Sequence, residues 1–260
     1  MTDALRRHWP EYLIEAVCLG LFMISAFTFA VILEHPASRA RQAIADPLIR
    51  RSLMGLAMGG TAMALIYSPW GKQSGAHINP ATTLTFFRLG KIATPDAIFY
   101  LTGQFLGGLA GALLASLFMS SWASHPAVNY VVTSPGSAGV LVAFGAELVI
   151  AFFLMTVILH VSNNPRAHKF TGICAGALVA VYITVEAPLS GMSMNPARSF
   201  ASAFVARHWT ALWVYFSAPL LGMLAAAELY VRVKNARGIA CAKLHHQNAK
   251  RCIFCGKPSL

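Results

Sequence analysis

The chain has 260 residues, of which 57% are hydrophobic and only 11% are charged. Soluble domains usually carry about 25% charged residues, so this composition argues against a water-soluble globular protein and predicts one that crosses a membrane several times. The net charge of +11 would suggest a nucleic-acid partner in a soluble protein. In a membrane protein it is first a signal of orientation, and we expect no nucleic acid to bind.

Six apolar runs are long enough to cross a bilayer as helices. In chain order they cover residues 12–33, 53–67, 97–118, 138–161, 170–185 and 212–231. The first run follows two arginines, but it lacks a small-residue cleavage site and is too long for the core of a signal peptide. We therefore interpret it as a retained first span.

Two further apolar segments, 75–89 and 191–205, are too short to cross, and each begins with a glycine-containing turn that leads into Asn-Pro-Ala. Asparagine suits the N-cap of a helix, and proline suits its first residue, where no N–H is needed. The predicted starts are Asn79 with Pro80 and Ala81, and Asn195 with Pro196 and Ala197. Non-helical backbone at membrane depth has to be buried or line a cavity, so two re-entrant half-helices imply a lumen. The alternative is a pair of helices that lie on the membrane surface.

The two halves of the chain repeat the same order of parts. An acidic residue in the first span of each half, Glu15 or Glu147, precedes the Asn-Pro-Ala motif of that half. Since each half has three spans, the halves, about 11–118 and 138–231, have opposite orientations in the membrane.

The basic residues predict the orientation. If the N-terminus is cytoplasmic, 14 of the 20 Lys and Arg residues fall on that side and five on the other, while Arg198 lies inside the second half-helix. This distribution follows the positive-inside rule. We therefore expect a plasma (inner) membrane protein with both termini in the cytoplasm.

Both motifs resemble a known family. The runs Ser74-Gly-Ala-His-Ile-Asn-Pro-Ala81 and Met194-Asn-Pro-Ala-Arg-Ser199 look like the paired signatures of the aquaporin, or major intrinsic protein, family. The similarity covers about residues 11–230. It implies an all-α fold of six transmembrane helices and two half-helices, a passive channel for water and small uncharged solutes that excludes protons and ions, and a homotetramer with one pore per subunit. It implies neither an enzyme nor a cofactor.

The motifs also suggest how such a channel works. Two half-helices that meet by their N-termini present positive dipole ends and the amides of Asn79 and Asn195 to the lumen, and Arg198 adds to the barrier against cations. Backbone carbonyls of the unwound loops replace the hydration of the solute. The carbonyls expected to face the lumen belong to Gly75, Ala76, His77, Gly191 and Ser193.

Glu15 and Glu147 allow two interpretations. Their matching positions suggest braces that accept hydrogen bonds from the re-entrant loops. In an inverted-repeat secondary transporter they would instead carry protons. Gln104 is either a packing amide or a further loop support.

The resemblance implies a narrow filter formed by Gly59, Ile183, Met192 and Arg198. Water-selective relatives place an aromatic residue at the first of these positions and a histidine at the second, so this filter is expected to be wider and more apolar. Ser199 follows the arginine where glycerol-conducting relatives have aspartate, which favours water. Ammonia, urea, glycerol and metalloid hydroxides therefore stay open as further solutes. Glu186, near Ile183, is either a solvated helix end or a partner of Arg207 or His208.

Residues 235–260 form a basic tail outside the predicted channel domain of residues 1–234, and the family resemblance predicts nothing about this tail. It contains the pattern C-x3-H-H-x5-C-x2-C, with the ligand types and number of a tetrahedral zinc site. The predicted ligands are Cys241, His245, Cys252 and Cys255, with His246 next to them. The alternative is a disordered tail with reduced thiols.

Other classes of protein remain as competitors. A proton-coupled transporter would show saturation and dependence on a gradient. A membrane enzyme is disfavoured because the sequence offers neither a nucleophile with a base nor a nucleotide-binding loop. A structural junction protein with an occluded pore is the third alternative.

Overall fold

A computed structural model describes residues 1–234 and 238–258, so that residues 235–237 and 259–260 of the predicted tail lie outside the described part. Helices form at all the predicted spans. In chain order the helices are α1 (Thr2–Glu34), α2 (Arg39–Ala43), α3 (Pro47–Tyr67), α4 (Pro69–Ser74), α5 (Pro80–Arg88), α6 (Thr94–Ser124), α7 (Val140–Ser162), α8 (Thr171–Val185), α9 (Ala187–Ser190), α10 (Pro196–Ala206) and α11 (Leu212–Lys234). Short 3-10 turns cover Asn129–Val131 and His168–Phe170.

Within the described residues, five helical stretches are long and apolar enough to cross a membrane: α1, α6, α7, α11 and residues 168–185, which include α8. The sixth predicted span is α3. Its 21 residues reach about 32 Å at 1.5 Å per residue, which is enough to cross. It is less apolar because Arg50 and Arg51 lie near its start. Arg50 is buried there and pairs with Glu34 at 3.2 Å, so its charge is compensated at the end of the span.

The spans pack as the internal repeat predicts. The first and third spans of each half contact each other, α1 with α6 and α7 with α11, while the second spans, α3 and α8, pack across the halves. Glycine permits the close approach. A Cβ atom on Gly107 of α6 would lie 2.0 Å from the backbone oxygen of Ala16, and one on Gly222 of α11 would lie 2.3 Å from that of Leu148. Small residues at such contacts are typical of membrane helices.

The two Asn-Pro-Ala motifs begin short helices, as predicted. The side-chain oxygen of Asn79 accepts from the N–H of Ala81 at 2.9 Å and caps α5. The side-chain oxygen of Asn195 accepts from the N–H groups of Ala197 and Arg198 at 3.1 and 3.2 Å and caps α10. Proline occupies the first helical position in both.

Both ends of the described chain lie at the same end of the bundle. Arg251, in the tail, forms hydrogen bonds of 2.8 and 2.7 Å with the carboxylate of Glu11 and one of 3.1 Å with the backbone oxygen of Arg7. We call the opening of the bundle at this end, formed by Ile66, His77 and Leu244, the inner mouth. The opposite opening, at Glu34 and Arg51, is the outer mouth.

The contact at Gly107 allows a stability prediction. Gly107→Leu places a side chain against the backbone of α1, and overpacking of this kind costs at least ~1–3 kcal/mol. We expect a lower melting temperature in detergent, measured by intrinsic fluorescence. Gly145→Leu is the matched control, because a Cβ atom on Gly145 meets no atom within 4 Å. Equal melting temperatures for the two variants would contradict this packing.

Candidate functional site

A cavity of about 450 Å³ lies between the two halves. It begins at the outer mouth with Glu34 and Arg51, passes Asn79 and Asn195, and ends at Leu244 of the tail. Helices α1, α3, α7 and α8 and both re-entrant loops line it. This is the lumen that the two half-helices predict.

Glu15 binds the first re-entrant loop from within the protein. Its carboxylate accepts the N–H groups of His77 at 3.1 Å and Ile78 at 2.6 Å, together with the hydroxyl of Ser74 at 2.7 Å. The amide of Gln104 donates to the same carboxylate at 2.9 Å. Backbone N–H groups that no helix satisfies thus find a charged acceptor.

Glu147 does the same in the second half. It accepts the N–H groups of Ser193 at 2.6 Å and Met194 at 2.7 Å, and the hydroxyl of Ser190 at 2.7 Å. Glu15 and Glu147 are fully buried, and neither lines the cavity. The geometry is that of a brace, and it gives the proton-relay interpretation no support.

Two tyrosines that sequence reasoning missed complete the braces. The hydroxyl of Tyr100 donates to the backbone oxygen of Ser74, and that of Tyr215 to the backbone oxygen of Ser190, both at 2.6 Å. Each tyrosine lies in the third span of its half. Their matching places in the repeat are the signal that could have identified them.

The asparagines of the two motifs cross-link the loops at the centre of the cavity. The Nδ2 atom of Asn79 donates to the backbone oxygen of Met194 at 2.6 Å, and that of Asn195 donates to the backbone oxygen of Ile78 at 2.7 Å. Since a side-chain amide has two N–H groups, each asparagine keeps one for the cavity. The proline and alanine that follow each asparagine are buried and do not line the cavity: Pro80, Ala81, Pro196 and Ala197.

Four of the five residues whose carbonyls were expected to face the lumen do line the cavity, namely Ala76, His77, Gly191 and Ser193. The prediction for Gly75 is wrong. Its backbone oxygen accepts the N–H of Leu244 at 3.1 Å, so it is engaged by the tail. A contact between the tail and the loop could not be foreseen from the loop itself.

The prediction for Gly59 is also wrong. The residues of α3 that line the cavity recur every three or four positions and include Met54, Met58 and Ala62. Gly59 is turned toward α8, where a Cβ atom would lie 2.4 Å from the backbone oxygen of Gly176. Met58 therefore occupies the place in the cavity that the resemblance gave to Gly59.

The other three predicted filter residues, Ile183, Met192 and Arg198, line the cavity. The Nη1 atom of Arg198 is buried and has no hydrogen-bond partner within the described chain, so it is available to a solute. Ser199 is withdrawn from the lumen, since its hydroxyl bonds to those of Thr133 and Ser193 at 2.7 and 2.6 Å.

Glu186 follows neither interpretation that the sequence allowed. It is only 6% exposed, so it is not a solvated helix end. His208 bonds to Ser134 instead, at 3.2 Å. Both carboxylate oxygens of Glu186 lack a hydrogen-bond partner within the part of the chain that is described.

The tail brings Cys/His ligands together, with one correction. Cys241, His246, Cys252 and Cys255 offer ligand atoms that all lie within 4.8 Å of one another. His245, the predicted histidine, turns away and packs edge-on against Tyr67 at 5.3 Å. The two side chains follow a turn at residues 244–245 and point in different directions, which the sequence alone did not reveal. Hydrogen bonds from the Cys241 thiol and nearby groups hold the pKa of Cys252 well below its usual range, which favours the thiolate that binds metal.

The braces give a second stability prediction. Glu147→Gln puts an N–H donor where the carboxylate accepts, and leaving one buried loop N–H unsatisfied costs about 1–3 kcal/mol. We expect a lower melting temperature in detergent and reduced channel activity. Glu228→Gln is the control, since Glu228 forms a surface pair with Arg88. A melting temperature for Glu147→Gln equal to that of the control would show that the brace contributes no stability.

Comparison with known proteins agrees with this geometry. Residues 5–230 match the family described as Major intrinsic protein. A probable NIP-type aquaporin of Nicotiana alata is 37% identical to this chain over 179 residues, 68% of this chain and 64% of the relative. Aquaporin NIP1-1 of Arabidopsis thaliana is 36% identical over 192 residues, 70% of this chain and 63% of the relative. The match thus spans less than two thirds of the relatives' length.

The fold is similar to that of a solved structure, the aquaglyceroporin from Plasmodium falciparum. The TM-score is 0.70, at 20% sequence identity, and the similarity covers 87% of this chain and 96% of that chain. The family match over nearly the whole helical bundle and the shared fold lead to one conclusion. The chain belongs to the major intrinsic protein, or aquaporin, family.

Proposed function

We propose that the protein is a passive membrane channel for water and small uncharged solutes. The observation that carries this proposal is the cavity that passes between two helix N-termini, with one free N–H on each of Asn79 and Asn195. A molecule such as water can accept both N–H groups in turn. Passage needs no cofactor and no chemical step.

The same arrangement supports the exclusion of protons and ions. The N-terminus of a helix carries about half a positive charge, and α5 and α10 direct theirs toward one point of the cavity. Arg198 adds a full positive charge beside the lumen. A cation would lose its hydration there and meet the positive potential of both helix ends and of Arg198.

The proposed filter is formed by Met58, Ile183, Met192 and Arg198, which line the cavity on the outer side of the asparagines. Three apolar side chains and one donor favour small neutral molecules over strongly hydrated ones. The NIP-type relatives are named aquaporins and the structural neighbour an aquaglyceroporin. We therefore propose water as the first solute, and glycerol, urea, ammonia and metalloid hydroxides as the alternatives.

Orientation and assembly are part of the proposal. The tail and the start of α1, both rich in basic residues, lie at the inner mouth, which supports termini on the cytoplasmic side of the plasma membrane. Many large apolar side chains remain exposed on the outside of the bundle. These suit lipid and the neighbouring subunits of a homotetramer.

Osmotic flow through proteoliposomes tests the proposed function. Because Leu244 ends the cavity at the inner mouth, the wild type and Leu244→Ala are measured side by side, by stopped-flow light scattering under a gradient of an impermeant osmolyte. We expect water flow well above that of empty liposomes, rising linearly with the gradient. Flow at the level of empty liposomes in both proteins would refute the channel.

The filter has its own prediction. Met58→Ala removes three heavy atoms from the cavity wall, and we expect the permeability of glycerol to rise relative to that of water, measured with both gradients on the same vesicles. Met63→Ala is the matched control. Met63 lies on the same helix but packs against Gly176 of α8. A change of the glycerol-to-water ratio that is equal in the two variants would show that Met58 is not a filter residue.

A further inference from the structure

The tail, residues 238–258, is packed into the inner mouth. Ile239, Ala242 and Leu244 are buried and belong to the hydrophobic core of the bundle. The N–H of Leu244 donates to the backbone oxygen of Gly75 in the first re-entrant loop, and the Leu244 side chain lines the end of the cavity. The tail therefore stands in the path of a solute.

His77 of the first Asn-Pro-Ala segment holds this position. Its Nε2 atom bonds to the backbone oxygen of Ala242 at 2.8 Å, so it carries the proton there and donates. Its Nδ1 atom then accepts from the hydroxyl of Thr83 at 3.1 Å. The ring of Phe254 stacks on that of His77, with centroids 5.5 Å apart and planes 6° apart. A residue of the channel thus contacts the tail at two separate places, Ala242 and Phe254.

Two basic side chains anchor the tail further. Lys243 is 1% exposed, and its ammonium group donates to the backbone oxygens of Lys72, at 2.9 Å, and Arg251. Arg251 pairs with the buried carboxylate of Glu11. The buried Lys243 cation and the buried Glu11 carboxylate are tolerated only because each has its partners, so the docked position is specific.

The sequence of the tail provides little to stabilise its folded conformation. Residues 238–258 contain four basic and no acidic residues, and none of them lies in an α-helix. By itself, a segment this short has too little apolar surface to offset the entropy lost on ordering, and small domains that fold alone rely on a disulfide or a metal ion. A cross-link has to come from the cysteine and histidine side chains.

The four ligand atoms fit a zinc ion. Tetrahedral zinc with Zn–S bonds of ~2.3 Å places two sulfur ligands about 3.8 Å apart. The Sγ atoms of Cys241 and Cys252 are 3.3 Å apart, and the Sγ atom of Cys255 is 3.9 Å from the Nε2 atom of His246.

We propose that Cys241, His246, Cys252 and Cys255 bind one Zn²⁺ ion, and that the metal-bound tail closes the inner mouth with Leu244. This inference rests on the proposed channel function for its effect on flow, but its metal site stands apart from that function. Three thiolates and one Zn²⁺ leave a net charge of −1, and the ammonium group of the neighbouring Lys243 compensates it. Zinc binding supplies the free energy that orders the tail, so loss of zinc opens the channel.

Metal content tests the site without any transport. Full-length protein, purified in detergent with a reducing agent, is dialysed after exposure to Zn²⁺ and analysed by mass spectrometry of the metal. We expect one zinc ion per chain in the wild type and none in Cys252→Ser or His246→Ala. His245→Ala, the matched control next in sequence, keeps its zinc. Wild type without zinc, or equal zinc in the two histidine variants, would overturn the assigned site.

Water flow tests the gate. Zinc-loaded wild type in proteoliposomes is measured before and after a membrane-permeant chelator. If zinc leaves about one channel in ten open, chelation raises the permeability about tenfold. Leu244→Ala is expected to show the high permeability with zinc still bound, and Cys252→Ser to show it without chelator.

The possible failures are distinguishable. Bound zinc with a permeability that chelation does not change, while Leu244→Ala conducts, would overturn the gate and leave the metal site and the channel intact. Bound zinc without flow in any variant, Leu244→Ala included, would refute the channel function and with it the gate.

Discussion

Backbone that is not helical has to find its hydrogen-bond partners inside the protein when it lies at the depth of a membrane. Two buried carboxylates solve this problem here. Glu15 and Glu147 each accept two loop N–H groups and one serine hydroxyl, while Tyr100 and Tyr215 donate to loop carbonyls. The loops can therefore stay unwound beside the cavity, and both half-helices can begin at its centre.

The hydrogen bonds of the two motif asparagines also determine which donors remain for a solute. The oxygen of each motif asparagine caps its own helix, and one N–H crosses to the carbonyl of the opposite loop. One N–H per asparagine is left over, and it cannot rotate away without breaking the cap. Fixed donors, positive helix ends and Arg198 form a site that a neutral molecule can use in passing. Both brace carboxylates are occupied by loop donors and lie outside the cavity, so they offer a solute no acidic group.

The sequence predicted those features that local chemistry determines. The spans follow from length and hydropathy, and the half-helix starts follow from Asn79, Pro80 and their counterparts in the second motif. Filter residues depend on which face of a helix meets the lumen, and this is set by packing between helices. The filter position predicted at Gly59 lies one residue away, at Met58, because a close contact with Gly176 turns Gly59 toward α8. The sequence equally could not separate His245 from His246, because only the contact of His245 with Tyr67 and the approach of His246 to the cysteines distinguish them.

The two re-entrant loops are covered in similar ways, but by segments of different kinds. The glycine that ends the turn before each motif is covered by another segment: Gly191 by Thr133 and Ser134, and Gly75 by Lys243 and Phe254. The segment at the outer mouth is an internal loop, held by spans at both of its ends. The segment at the inner mouth comes after the last span, and Lys243, Leu244 and Arg251 hold it to the bundle. None of these contacts belongs to the braces or to the two asparagines, so the proposed loss of zinc releases the cover and leaves the centre of the channel in place. The inner mouth is therefore the side at which a removable metal ion can control the path.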